Sequence, residues 1–270
     1  MRKSFGQSLR IGVSRHAVVL VKASRFGKVR PEVLAELALG GAGMPGFDAI
    51  GAALRQLLTD AACAGWSATV VLADDLARIW QVTPPAGAAR LADLEGAAAL
   101  RFQSLYGEPA ANWKLAGGWD ANKAFIACAL PRALLDMLAA VAAEQQVTLV
   151  EIAPQFVAGW NRWHRELKPG AWFGLVHNGV LTLGAIDTGQ VCAVRAAAVP
   201  EGASIEWLGQ HVAREALRLN LAVPQRLQLS GRGNPAWNNS SGAFACSWLS
   251  PQIDAARSSA AQLAVTGLTS

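Results

Sequence analysis

One block of secondary structure occurs twice in this chain, about 160 residues apart, and no other feature restricts its fold so tightly. In the first copy, residues 9–13 and 17–23 are apolar runs around a Ser14-Arg15-His16 turn. Residues 29–39 read as a third strand whose start Pro31 keeps off a central ladder. Phe47, Ile50, Leu54, Leu57, Leu58 and Ala61 then recur at helical spacing, and 67–73 is a buried-type strand. In the second copy, strands at 172–176 and 180–185 flank His177-Asn178-Gly179, and Asn-Gly is a strong hairpin signal. Asp187-Thr188-Gly189 turns into a strand at 191–196. Ile205, Leu208, Val212, Ala216 and Leu219 mark a helix face, and 226–229 is a short strand. Two such units predict an α/β protein built by duplication.

Between the copies lie a strand at 77–82, ended by Pro84-Pro85, and a helix at 92–106. Strands at 112–116 and 123–130 follow. A helix begins at Pro131, a residue favoured in a first helical turn. A strand at 147–152 leads to a helix opened by Pro154. Residues 251–270 are rich in Ser and Ala with little periodicity and are expected to form a flexible tail.

Composition narrows the class. The apolar fraction is 52 % and the charged fraction 16 %, yet no uncharged apolar run reaches 18 residues. The best candidate, 130–143, carries Arg132 and Asp136. No apolar stretch of signal-peptide length precedes Arg10, so neither an export signal nor a membrane anchor is read, and a cytoplasmic location is expected. The cysteines at 63, 128, 192 and 246 are too far apart for a zinc site, and core roles are expected for three of them. Net charge is +5, and eight of the 24 basic residues fall in the first 30 positions, before any acid. The remaining 16 face 19 acids, so the excess is a basic N-terminal edge suited to an anionic membrane surface or an acidic partner. Only Phe5 and Phe26 interleave those charges, so no nucleic-acid partner is expected.

Several motifs bear on chemistry. Gly41-x-Gly43-x-x-Gly46 outlines a dinucleotide fingerprint, with Asp74-Asp75 as the ribose-binding acid, and carries the alternative of an NAD(P)-dependent oxidoreductase. Against it, the acid lies 28 residues beyond Gly46, and Pro45 removes an amide that would face phosphate. Gly12-Val13-Ser14-Arg15-His16 lacks the second glycine of a nucleophile elbow, so Ser14 reads as a turn residue. His16, His164, His177 and His211 share no ligand spacing; His164 and His211 read as helix-surface residues. No P-loop is present. Of the ten tryptophans most should be core, with a few lining a partner groove.

The 11–21 segment, Ile-Gly-Val-Ser-Arg-His-Ala-Val-Val-Leu-Val, resembles the opening strand pair of the actin-like ATPase superfamily. It is most similar to the branch containing the pilus assembly protein PilM and the cytoplasmic part of the secretion protein GspL. Val70 to Arg78 with Pro84-Pro85, Ala127 to Leu138, and Ile152-Ala153-Pro154 with Asn161 are similar to that branch. Leu227-Gln228-Leu229-Ser230-Gly231-Arg232-Gly233 resembles the superfamily's strand-and-glycine turn that lies against adenosine.

The resemblance implies a two-lobed actin-like fold, each lobe a ribonuclease-H-like βββαβ unit. A basic segment at 1–8 would precede a first lobe at 9–170 with an inserted subdomain, a second lobe at 171–250, and the tail at 251–270. It implies a nucleotide cleft at Ser14, Arg15, His16, His177, Gly179, Gly231 and Gly233. The cleft would be degenerate, because Gly12 stands where the first phosphate loop carries its metal-binding aspartate and the 175–182 hairpin lacks one too. Magnesium would find no hard ligands there. Arg15 keeps weak ATP binding possible, but hydrolysis is not expected, leaving an active ATPase or kinase as an alternative only. The implied role is a scaffold of a type IV pilus or type II secretion platform. Its partners would be the cytoplasmic tail of a bitopic inner-membrane protein and a motor ATPase.

Overall fold

The computed structural model describes residues 7–24, 30–40, 46–240, 244–249 and 257–268. Strand β1 (Gln7–Val13) forms an antiparallel hairpin with β2 (Ala17–Ser24), which pairs with β3 (Glu32–Ala38). Helix α1 (Phe47–Asp60) then crosses to β4 (Ser67–Leu72), which lies parallel to β1. Next come β5 (Arg78–Val82), α2 (Leu91–Tyr106), β6 (Trp113–Gly117) and β7 (Phe125–Pro131). Helix α3 (Arg132–Glu144), β8 (Thr148–Pro154) and α4 (Gln155–Trp163) complete the first copy. The second copy contains β9 (Ala171–His177), β10 (Val180–Asp187), β11 (Gln190–Ala198), α5 (Ile205–Arg218), β12 (Arg226–Gly231) and β13 (Ala245–Trp248). A last helix, α6, spans Ser259–Val265.

The duplication is explicit in the sheets. One has the order β3-β2-β1-β4-β8 and the other β11-β10-β9-β12-β13, the same meander followed by parallel strands. A third sheet, β5-β7-β6, belongs to the inserted segment. The chain divides into two compact units. The first comprises 1–77, 130–162 and 256–270; the second comprises 78–129 and 163–255. The inserted segment therefore groups with the second sheet. It has a core of its own in which Trp80, Phe102, Trp113 and Phe125 pack together, Trp80 and Phe102 with ring centroids 5.3 Å apart.

In the first unit both faces of the sheet are covered. Leu9, Ile11, Val13, Val18 and Leu20 pack against α1 and α3 through Leu54, Leu58, Leu134 and Leu138. The opposite face, Ala17, Val19 and Val21, packs against Ala260, Ala261 and Ala264 of α6. The expected flexible tail is thus corrected for the described residues: α6 is a docked helix. Its small side chains create little periodic signal but allow close approach to the sheet. The Ser258 hydroxyl caps it, accepting from the Ala261 amide at 3.0 Å.

Arg10 closes the other end of α6. Its side chain is 9 % exposed and donates from Nε to the Ala264 carbonyl at 2.9 Å and from Nη2 to the Thr266 carbonyl. A cation there satisfies the last helical carbonyls and complements the helix dipole. Burial lowers its pKa, and Glu151 pulls the other way, but a guanidinium stays charged. Replacing Arg10 by Met should leave those carbonyls without their donor and cost about 3 kcal/mol, since hydrogen bonds to charged groups contribute about 1.5–3 kcal/mol each. Urea unfolding of the full chain checks this, and an unchanged midpoint would contradict it.

The basic edge is correspondingly thinner than eight charges. Arg10 points inward, Arg15 pairs with Asp75 at 3.4 Å and Lys22 with Glu32 at 3.4 Å; Arg2, Lys3, Arg25 and Lys28 lie outside the described residues. Among the described residues no helix is long and apolar enough to cross a membrane.

The oxidoreductase alternative loses its framework. Gly41 and Gly43 lie outside the described residues, while β3, which precedes them, is an antiparallel edge strand separated from β4 by β2 and β1. A dinucleotide fingerprint needs two parallel strands joined through its helix. Asp74 is also occupied, accepting from the Phe156 amide at 2.9 Å in the first turn of α4.

Candidate functional site

The expected site residues fall in both units: Ser14, Arg15 and His16 in the first, His177, Gly179, Gly231 and Gly233 in the second. Ser14 is buried in the β1–β2 turn. Its hydroxyl accepts from the His16 amide at 3.1 Å and the Ala17 amide at 3.0 Å, and donates to the Ala17 carbonyl at 3.1 Å. The Ser14 amide donates to that same carbonyl at 3.0 Å. Three amides that a phosphate loop would present are therefore consumed within the turn. Arg15 is half-buried beside Asp75, which competes with any phosphate for its charge. His16 is exposed.

Gly12 explains itself by packing. A Cβ at that position would lie 2.8 Å from the Ala260 carbonyl oxygen and 3.0 Å from the Ala264 amide nitrogen, both in α6. The side-chain direction at position 12 is filled by the C-terminal helix. The sequence contained no hint of this, because the contact spans the whole chain.

In the second unit, Asn178 and Gly179 both have positive φ, 51° and 71°, and form the primed turn that the Asn-Gly pair predicts. His177 pairs with Val180 across this hairpin. Val176, one residue earlier, pairs with Gly231 at the end of β12, and its carbonyl accepts from the Arg232 amide at 3.0 Å. Hairpin end and glycine turn are thus brought together. At Gly231, φ is 93° and a Cβ would lie 2.1 Å from the Val176 oxygen. Gly233 faces aromatic rings of its own unit: a Cβ there would meet Trp248 at 2.7 Å and Trp237 at 3.2 Å.

Those rings belong to a stack that sequence reading missed. Trp237 and Trp248 lie parallel with centroids 6.4 Å apart, Trp207 is 6.3 Å from Trp237, and His211 is 5.3 Å from Trp207. The Trp237 indole donates to the Ala203 carbonyl at 2.7 Å. His211 is buried rather than on a helix surface. Burial lowers its pKa, with Glu215 opposing. Two of the four cysteines, Cys63 and Cys246, are fully buried, and all four are free. Burial pushes the Cys128 thiol up to about 11 and Cys246 to about 12, which suppresses thiolate chemistry. Among the described residues no cluster of His, Cys, Asp or Glu could hold a metal ion.

No family model and no curated protein matches the sequence. Solved structures do match. The PilM–PilN type IV pilus biogenesis complex matches with a TM-score of 0.61 at 14 % identity, over 96 % of this chain and 94 % of that one. A Bacteroides thetaiotaomicron protein with an actin-like ATPase fold matches with a TM-score of 0.58 at 12 % identity, over 90 % and 91 %. This chain has the actin-like fold. The cytoplasmic domain of EpsL, an inner-membrane component of the Vibrio cholerae type II secretion system, is also similar, with a TM-score of 0.56 at 13 % identity over 84 % and 83 %. The expected duplication of a ribonuclease-H-like unit is the architecture of that fold, and the two sheets of identical strand order are its two copies.

Proposed function

We propose that this actin-like chain is a non-catalytic scaffold at the cytoplasmic face of an inner-membrane platform, of the type IV pilus or type II secretion kind. Its partners on this reading are the cytoplasmic tail of a bitopic membrane protein and, secondarily, a motor ATPase. The reading is supported by the likeness to PilM, solved in a complex with PilN, and to an inner-membrane secretion component. The observation that carries the word non-catalytic is the state of the first loop. Position 12 is covered by α6, the Ser14 turn spends its amides on itself, and neither this loop nor the 175–182 hairpin contains a carboxylate for magnesium. Residual ATP binding through Arg15 stays weak, because Asp75 holds that charge. The remaining N-terminal basic residues favour a position against anionic lipid.

The test is titration of this protein with peptides copied from the cytoplasmic N-termini of bitopic membrane proteins encoded beside it, followed by tryptophan fluorescence. One of them should bind with a dissociation constant of about 1 μM or tighter, equivalent to roughly −8 kcal/mol. Absence of binding by every such tail would reject the scaffold reading.

A further inference from the structure

A groove of about 690 Å³ opens within the second unit between β5 and β11. Residues 79–83 form one wall and 192–195 the other, with Arg101, Leu105 and Tyr106 of α2 and Leu219 completing it. Both walls are sheet edges. Among the described strands β5 pairs only with β7 and β11 only with β10, so each has an edge without a sheet partner, although the two strands approach each other and the Ile79 carbonyl already accepts from the Tyr106 hydroxyl at 3.3 Å. The five residues of the β5 wall span about 16 Å of extended chain. No lining residue is acidic, while Arg101 and Arg195 are exposed and neither has a carboxylate within ion-pair distance among the described residues. Leu105 is 45 % exposed beside them, an apolar surface left without cover.

We propose that this groove is a docking site for an extended polypeptide segment that alternates acidic and apolar residues and lies along an open strand edge. Backbone groups of the edge would bind the segment's main chain. Successive side chains of a strand point to opposite faces, so acidic residues would meet Arg101 and Arg195 while apolar ones meet Ile79, Leu105 and Leu219. Nucleic acid would answer the arginines but not the strand edges or apolar walls. The proposal rests on the scaffold reading only in taking the partner to be a polypeptide.

Fluorescence anisotropy of a labelled decapeptide of alternating valine and glutamate tests it, with a valine–lysine decapeptide and a ten-nucleotide oligothymidylate as comparisons. The acidic peptide should bind saturably, more weakly as salt rises, and at least about 10-fold more weakly to the Arg101→Glu, Arg195→Glu double variant. Hydrogen exchange should slow at 79–83 and 192–195 in the complex. No binding of the acidic peptide, equal binding by the double variant, or equally tight binding of oligothymidylate would overturn the proposal. A membrane-protein tail that binds with slowed exchange confined to other segments would overturn the groove and leave the scaffold reading standing. Groove binding of the decapeptide with no tail binding would do the reverse.

Discussion

Replacing Gly231 by Ala is expected to destabilise the protein by about 4 kcal/mol, combining overpacking of about 1–3 kcal/mol with about 1–2 kcal/mol for a left-handed non-glycine residue. The methyl group would stand 2.1 Å from the Val176 carbonyl oxygen, inside any allowed contact, and φ at this position is 93°. Relief requires β12 to move away from β9, which breaks the Arg232 to Val176 hydrogen bond and disturbs the Leu227 and Leu229 core. Gly179→Ala is the internal control. Its φ is 71°, but nothing lies within 4 Å of a Cβ there, so only the conformational term of about 1–2 kcal/mol applies. Urea unfolding should separate the two variants clearly. Equal midpoints would show that close packing is not what demands glycine at 231.

Introducing aspartate at Gly12 is expected to destabilise the protein by about 3 kcal/mol or more and to confer no ATP hydrolysis. Overpacking alone costs about 1–3 kcal/mol, and burying a carboxylate without a donor adds to it. The new Cβ would lie 2.8 Å from the Ala260 carbonyl oxygen, so the side chain meets an acceptor where it needs a donor or a cation. The strain falls on the contact between β1 and α6, and α6 should lose hydrogen-exchange protection before the rest of the first unit. Full stability in this variant would mean that α6 does not pack over position 12.

Much of the architecture was legible because its signals are local. Val18 to Val21 is continuously apolar, as a strand buried on both faces must be, and Asn178-Gly179 announces its own turn. The Phe47 to Ala61 pattern encodes one helix face, and four of its six positions, Ile50, Leu54, Leu57 and Leu58, are buried. What escaped was set by distant contacts or weak patterns. Helix α6 is made of small residues whose burial depends on a sheet about 250 positions earlier, and Arg10 reads as a surface charge until its helix is in place. Strand β13 spans four residues, too short for a periodic signal. The Trp207–Trp237–Trp248 stack joins a helix, a turn and a strand, so spacing alone could not assemble it. Asp74, a ribose ligand by its place in the sequence, instead caps a helix that begins 81 residues later, at Gln155.

Position 12 illustrates the same limit at the site itself. That position 12 carries no carboxylate is legible in the residue itself, while the reading that a carboxylate there would have held magnesium is what the resemblance implies. That the space has been taken by α6 could not be read, and it changes the meaning of the substitution. Glycine at this position supports a new packing contact in addition to lacking a carboxylate.

Phosphate release from ATP in the presence of magnesium is the most direct measure of whether this actin-like chain hydrolyses ATP. The purified full chain should release phosphate no faster than buffer, with or without a bound tail peptide. Sustained release by the wild-type protein that the Arg15→Ala variant loses would contradict the account.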